Sequence, residues 1–186
     1  VVSFSPRFSY PENISFNRYS RIPGNKNSLS NNDIFDIVCT KKGELFFVTY
    51  GGGLSRMVPL SSGKNIFKSY TTKEGLPSDV LLSAIEDNNG FLWIASENGL
   101  CRFEPEKEHF EKFRGFTLGQ TDIHYDEASV MKDHSGRLYF GTERGYISFL
   151  PNQVKKSSFI PPIVFSHLYI QQLEAKVGGD QSSLTE

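Results

Sequence analysis

Three copies of one hydrophobic pattern, a bias toward aromatic and β-branched residues, and glycines placed at turns predict an all-β chain. The architecture they point to is a β-propeller fragment of about three tandem four-stranded antiparallel blades. The copies superpose on a central glycine: Ile37-Val38-Cys39-Thr40-Lys41-Lys42-Gly43-Glu44-Leu45-Phe46-Phe47-Val48-Thr49, Ala84-Ile85-Glu86-Asp87-Asn88-Asn89-Gly90-Phe91-Leu92-Trp93-Ile94-Ala95-Ser96, and Val130-Met131-Lys132-Asp133-His134-Ser135-Gly136-Arg137-Leu138-Tyr139-Phe140-Gly141-Thr142. Gly43, Gly90 and Gly136 are spaced 47 and 46 residues apart, and Gly52, Gly99 and Gly145 follow nine residues on. The first copy carries one extra residue there, in Gly51-Gly52-Gly53.

Each copy reads as strand, tight turn, strand, short turn, strand. Asp87-Asn88-Asn89-Gly90 is turn chemistry, because Asp and Asn bond locally to backbone and Gly accepts positive φ. Leu45-Phe46-Phe47-Val48 and Phe91-Leu92-Trp93-Ile94 are apolar on both faces, so each must be covered on both sides, as between stacked sheets. The third strands open at Gly99 and Gly145 and alternate in polarity. A more polar fourth strand is expected at 65–71 and 109–114. The copies agree in register as well as pattern, which a β-sandwich would not require. A parallel solenoid would show a shorter period, roughly 20–29 residues.

Bulk properties narrow the classes. Among 186 residues, 20 basic and 21 acidic side chains give a net charge of −1. No basic stripe for nucleic acid and no polybasic membrane patch is present. No apolar run approaches the ~20 residues that cross a bilayer, so no membrane contact is expected within this segment. The chain opens on Val1 without a signal-peptide pattern and is expected to be an internal piece of a longer protein. Cys39 and Cys101 fall at different points of the repeat, so buried free thiols are the default expectation, with one disulfide as the open alternative.

Lead-ins precede two innermost strands: Asn27-Ser28-Leu29-Ser30-Asn31-Asn32-Asp33-Ile34 and Glu74-Gly75-Leu76-Pro77-Ser78-Asp79-Val80. With the run from Glu86 to Phe103, they resemble the two-component regulator propeller repeat over roughly residues 17–155. Phe46 and Tyr139 stand where the repeat prefers Trp, and 120–126 departs from the Gly-Leu-Pro lead-in. The resemblance implies the periplasmic sensor region of a hybrid two-component system, the kind that gut Gram-negative bacteria use to detect breakdown products of complex carbohydrates. It implies propellers followed by an immunoglobulin-like domain and then the membrane. The expected organisation is outer strands of a preceding blade at 1–26 and blades at 27–72, 73–115 and 116–160. Residues 161–186 would be a linker and the start of a truncated immunoglobulin-like domain. The implied partners are the remaining blades and domains of the parent chain, and an oligosaccharide as ligand. Three blades without a ring expose apolar faces and strand edges, so self-association is also expected.

Catalytic chemistry finds no support. Asp122, His124, Asp126, Asp133 and His134 form the densest group of metal-capable residues, yet match no zinc or EF-hand spacing. Adjacent Glu86 and Asp87 would point to opposite faces of a strand and cannot act as a glycosidase pair. Asp87 and Asp133 each sit three before a turn glycine and read as hairpin residues. Gly51-Gly52-Gly53 has no following helix and Lys64 is far downstream, so it is not a phosphate loop. Trp93 could stack on a sugar, but lies in a doubly apolar strand and reads as core. Asn13-Ile14-Ser15 is a glycosylation sequon without consequence in a bacterial protein. No enzyme, metal or cofactor is expected.

Blade topology places a binding surface. If the innermost strand descends, the first hairpin lies below, and both the middle turn and the connection to the next blade lie above. The inter-blade loops at 26–33, 72–79 and 115–127 then share a face with the middle turns at 49–53, 96–99 and 142–145. Ligand binding is expected on this face, with Lys73, Glu74, Glu97 and Arg144 as candidate residues.

Overall fold

A computed structural model describes residues 1–4, 16–113, 123–154, 169–170 and 173–174. It is all-β and built from four-stranded antiparallel sheets. Strands β1 (Val2–Phe4) and β2 (Phe16–Arg18) form an antiparallel pair. The first blade comprises β3 (Ile34–Cys39), β4 (Leu45–Thr49), β5 (Gly53–Pro59) and β6 (Asn65–Tyr70), in that spatial order. The second repeats it with β7 (Leu81–Glu86), β8 (Leu92–Ser96), β9 (Gly99–Glu104) and β10 (His109–Phe113). The third shows β11 (Tyr125–Lys132), β12 (Leu138–Thr142) and β13 (Gly145–Phe149), then one turn of 3-10 helix, Pro151–Gln153. Its expected fourth strand falls outside the described residues, as does most of the expected immunoglobulin-like start at 161–186. Val1–Val154 is one compact unit. In the second, Lys155–Glu186, β14 (Tyr169–Ile170) pairs with β15 (Leu173–Glu174). Among the described residues no helix is long and apolar enough to cross a membrane.

Burial explains why the second strand of each blade is apolar on both faces. In β8, Leu92 and Ile94 enter the core shared with the first blade, beside Phe46, Val48, Leu54 and Tyr70. Alternate residues Trp93 and Ala95 enter the core shared with the third blade, beside Leu138, Phe140 and Phe149. Side chains alternate across a strand, so a blade with neighbours on both sides has no polar face to spare. The innermost strands β3, β7 and β11 lie next to one another. On the open side of the first blade, Phe47 and Phe67 pack with Tyr19, which follows β2.

Each innermost strand bulges near its start, between Ile34 and Asp36, between Leu81 and Ser83, and between Tyr125 and Val130. The third bulge holds two more residues than the others, and Ala128 sits within it at φ 48°. Gly141 faces this bulge: a Cβ there would meet the Ser129 side chain. Both cysteines are free thiols. Cys101 is buried as expected, and desolvation pushes its thiol up to about 12. Cys39 corrects the sequence reading: it ends the innermost strand and is exposed, because alternation puts the neighbouring Val38 in the core instead.

Candidate functional site: the face of lead-in loops and middle turns

The two loop classes meet on one face, tied by backbone and short polar side chains. Tyr50 N donates to Asp33 O at 3.0 Å, Glu97 N to Val80 O at 3.3 Å, and Glu143 N to His124 O at 3.1 Å. Each bond joins a middle turn to the lead-in of its own blade, at equivalent repeat positions. Gly53 N donates to Asp79 O at 2.8 Å, and Tyr50 bridges to Val80, so the second blade's lead-in also covers the first blade's middle turn.

Side chains complete the surface. The buried Ser78 hydroxyl donates to Glu97 Oε1 at 2.7 Å, and Asn98 Nδ2 donates to Pro77 O at 3.4 Å. In the first blade a hydroxyl cluster does the same work, with Ser30 Oγ 2.7 Å from Ser55 Oγ and 3.5 Å from Thr49 Oγ1. These staples were not singled out in the sequence. Their signal is the small polar residue that follows each buried leucine of the lead-in, one or two positions past Leu29 and Leu76.

Of the expected site residues, Lys73 and Glu74 share one exposed turn. Glu74 Oε2 accepts from Thr71 N at 2.7 Å and from the Thr71 hydroxyl at 2.8 Å. Partial burial pushes its carboxyl up, but the two Thr71 bonds prevail and hold it below its ordinary range. Glu97 is fixed by Ser78, as above. Arg144 belongs to the third blade's middle turn and lines a cavity of about 230 Å³ with Ile123, His124, Glu143 and Tyr146. Glu74 and Glu97 therefore also shape the loops, whereas Lys73 and Arg144 stand exposed.

The metal-capable residues do not converge. Asp122 and the Asn13 sequon lie outside the described residues, and among the described ones no three His, Cys, Asp or Glu gather as a metal would need. Asp133 is instead a hairpin clamp. Its Oδ1 accepts from Ser135 N, the Ser135 hydroxyl and Arg137 N at 2.6–3.0 Å, and its Oδ2 from the Tyr139 hydroxyl at 3.0 Å. Asp87 does the same in the second blade, with Asn89 N, Phe91 N and the Trp93 indole N–H at 3.0 Å. Trp93 is fully buried, so the sugar-stacking reading is closed.

The Asp133 clamp carries a pH dependence. Ser135's hydroxyl foremost, with the backbone N–H groups and Tyr139, lowers its carboxyl from 3.8 to about 2. A carboxyl depressed by folding adds stability above its unfolded pKa and loses it as pH falls through the folded one. Amide protection at Ser135 and Arg137, each rate read against the intrinsic exchange rate at the same pH, is therefore expected to hold at neutral pH and to fall from pH about 4 down to about 2. In Asp133→Asn that acid-induced step should vanish; its persistence would show that the clamp is not the titrating group.

Comparisons with known proteins bear on the fold that carries this face. Residues 75–98, the second blade's lead-in and first hairpin, match the family Two component regulator propeller. Histidine kinase P4 of Formosa agariphila is 25% identical over 132 residues, covering 68% of this chain. The chain spans about a tenth of that protein, 10% of its length. The extracellular domain of a hybrid two component system from B. thetaiotaomicron superposes with a TM-score of 0.59 at 22% identity, over 77% of this chain and 20% of that one. A second such domain from the same organism gives 0.47 at 21% identity, over 86% and 26%. Over residues 75–98, folded as part of the second of three successive blades, the chain is similar to the two-component regulator propeller family.

Proposed function

We propose that this chain is a non-catalytic, ligand-sensing and signal-transmitting segment of the periplasmic ectodomain of a hybrid two-component sensor that responds to carbohydrate breakdown products. The observation that carries the reading is the face where lead-in loops and middle turns interlock, since loops held on a rigid scaffold are where recognition concentrates. The family and the named relatives support the sensor class. The carbohydrate and the periplasmic location follow from the family resemblance.

The test is charge reversal in the full-length receptor: Lys73→Glu, Glu97→Lys and Arg144→Glu, with Glu74→Lys read against Glu74→Gln because Glu74 also holds its turn. Altered induction by an oligosaccharide panel is the expected result. Unchanged induction by every ligand in all variants would overturn the assignment of this face. Calorimetric titration of the ectodomain with the same panel, with products analysed, separates a sensor from a polysaccharide-active propeller enzyme. A second reading, an interaction or dimerisation propeller with its ligand elsewhere, draws on the third blade. There Tyr146 and Met131 are 70% and 54% exposed.

A further inference from the structure

The two joints between blades are built differently, position by position. At the first joint polar staples cross between blades, besides the Gly53 bond to Asp79 O on the upper face. Asp36 Oδ2 accepts from Ala84 N at 3.1 Å, linking the innermost strands. Lys41 N donates to Glu86 Oε2 at 2.8 Å, linking the hairpins below. Lys42 pairs with Glu106, Arg56 Nη1 donates to Pro105 O at 3.5 Å, and Glu108 binds both Lys68 at 2.6 Å and the Tyr70 hydroxyl at 2.9 Å.

The repeat identifies the equivalent positions at the second joint, and there the side chains named above are replaced or pair differently. Asp36 becomes Ser83, whose hydroxyl is fully buried and has no hydrogen-bond partner. Glu86 becomes Lys132, which cannot accept from Asn88 N and instead donates its Nζ to Glu86 O at 2.7 Å. Lys42 and Glu106 become Asn89 and Asn152, and Tyr70 and Glu108 become Phe113 and Val154. Arg56 is kept as Arg102, but it turns inward within its own blade, to Glu111 at 2.5 Å and over Phe91 at 4.7 Å. The carbonyl equivalent to Pro105 O, that of Pro151, accepts from Val154 N within the 3-10 turn.

What remains at the second joint, among the described residues, is mainly the apolar core of Trp93, Leu100, Phe113, Leu138, Phe140 and Phe149. Exposed ion pairs contribute little to stability, so the first joint need not be the stronger. Hydrogen bonds are directional, however, and fix register. Apolar contact is not directional, and packed layers held by it can slide in small shear steps. The orphaned Ser83 hydroxyl and the enlarged bulge of β11 lie on opposite sides of this seam.

We propose that the first and second blades form a fixed pair and that the seam between the second and third is compliant, a plane along which the third blade shifts against the other two. The compliance belongs to the blades and holds whether or not the upper face takes a ligand.

Pairs of spin labels on outer hairpins test this in the full-length protein that carries the chain. The sites are Ser62, Lys107 and Asn152, all exposed, in a Cys39→Ser background. The distance distribution for 107–152 is expected to be about twofold broader than that for 62–107. Equal widths would overturn the proposal. A second measurement keeps the cause in view. Giving the first joint the second joint's residues, with Asp36→Ser, Lys42→Asn and Glu106→Asn, should broaden 62–107 toward 107–152. An unchanged width in that folded variant would also overturn it, since the staples would not be what fixes the pair.

Discussion

Trp93→Ala is expected to cost about 3–5 kcal/mol, the range for truncating a buried aromatic. That is a large share of the ~5–15 kcal/mol that holds a domain together. Trp93 is fully buried, stacked 5.1 Å from Phe113 of its own blade and tilted against Phe149, 4.8 Å away across the seam to the third blade. Its indole N–H also satisfies Asp87, which is 1% exposed. The sharper experiment separates these roles. Trp93→Phe keeps an aromatic ring but leaves Asp87 Oδ2 without its donor, at a further cost of about 1–3 kcal/mol. The first blade shows the remedy, for it carries Phe46 at the equivalent position and Thr40 in place of the aspartate. Thr40 Oγ1 accepts from Glu44 N at 3.1 Å and asks nothing of the ring. Asp87→Thr should therefore rescue Trp93→Phe, with a coupling of about 1–3 kcal/mol in a double-mutant cycle read from urea unfolding. If Trp93→Phe costs the same in both backgrounds, the clamp and the ring are independent and this account fails.

The pairing of Thr with Phe, Asp with Trp and Asp with Tyr was in the sequence, three times over, at a separation of six residues. It could be read only as turn chemistry there, because the donor that selects the carboxylate lies on the next strand and its direction depends on register. The blades themselves were legible because strand period, turn glycines and repeat spacing are all local signals. The exposure of Cys39 was not, since it follows from which face of the innermost strand meets the core. The staples of the first joint were also hidden: Lys42 and Glu106 lie 64 residues apart, and nothing local marks them as partners. Their absence from the second joint becomes visible only once the repeat says which residues to compare. The candidate site was half legible. Topology placed its loops on one face, but charge alone could not say that Glu74 and Glu97 are engaged with Thr71 and Ser78 while Lys73 and Arg144 stand exposed.

Glycines at one repeat position provide the second large effect, and they are not interchangeable. Gly53, Gly99 and Gly145 each open the third strand of a blade with positive φ, at 72°, 108° and 121°. A Cβ on Gly145 would meet open space, and one on Gly99 would lie 3.7 Å from Phe113 O, an ordinary contact. The extra residue in Gly51-Gly52-Gly53 changes the first copy. A Cβ on Gly53 would collide with the Tyr70 carbonyl and lie 3.2 Å from Leu76 Cδ1 of the second blade's lead-in. Neither obstacle can yield cheaply, because Tyr70 O is backbone and Leu76 is fully buried in the core between the blades. Gly53→Ala is thus expected to cost at least ~4 kcal/mol, the level reached only by a named steric fault. Gly43→Ala, at φ 80° with nothing nearby, bears the backbone penalty alone, about 1–2 kcal/mol. Urea midpoints of the two variants decide the matter: a Gly53→Ala protein no less stable than Gly43→Ala would mean that the Tyr70 carbonyl and Leu76 do not close over this turn. The comparison reaches the candidate face as well as stability, because the Leu76 side chain that crowds Gly53 beside the Tyr70 carbonyl belongs to the lead-in that one blade lays over the middle turn of the last.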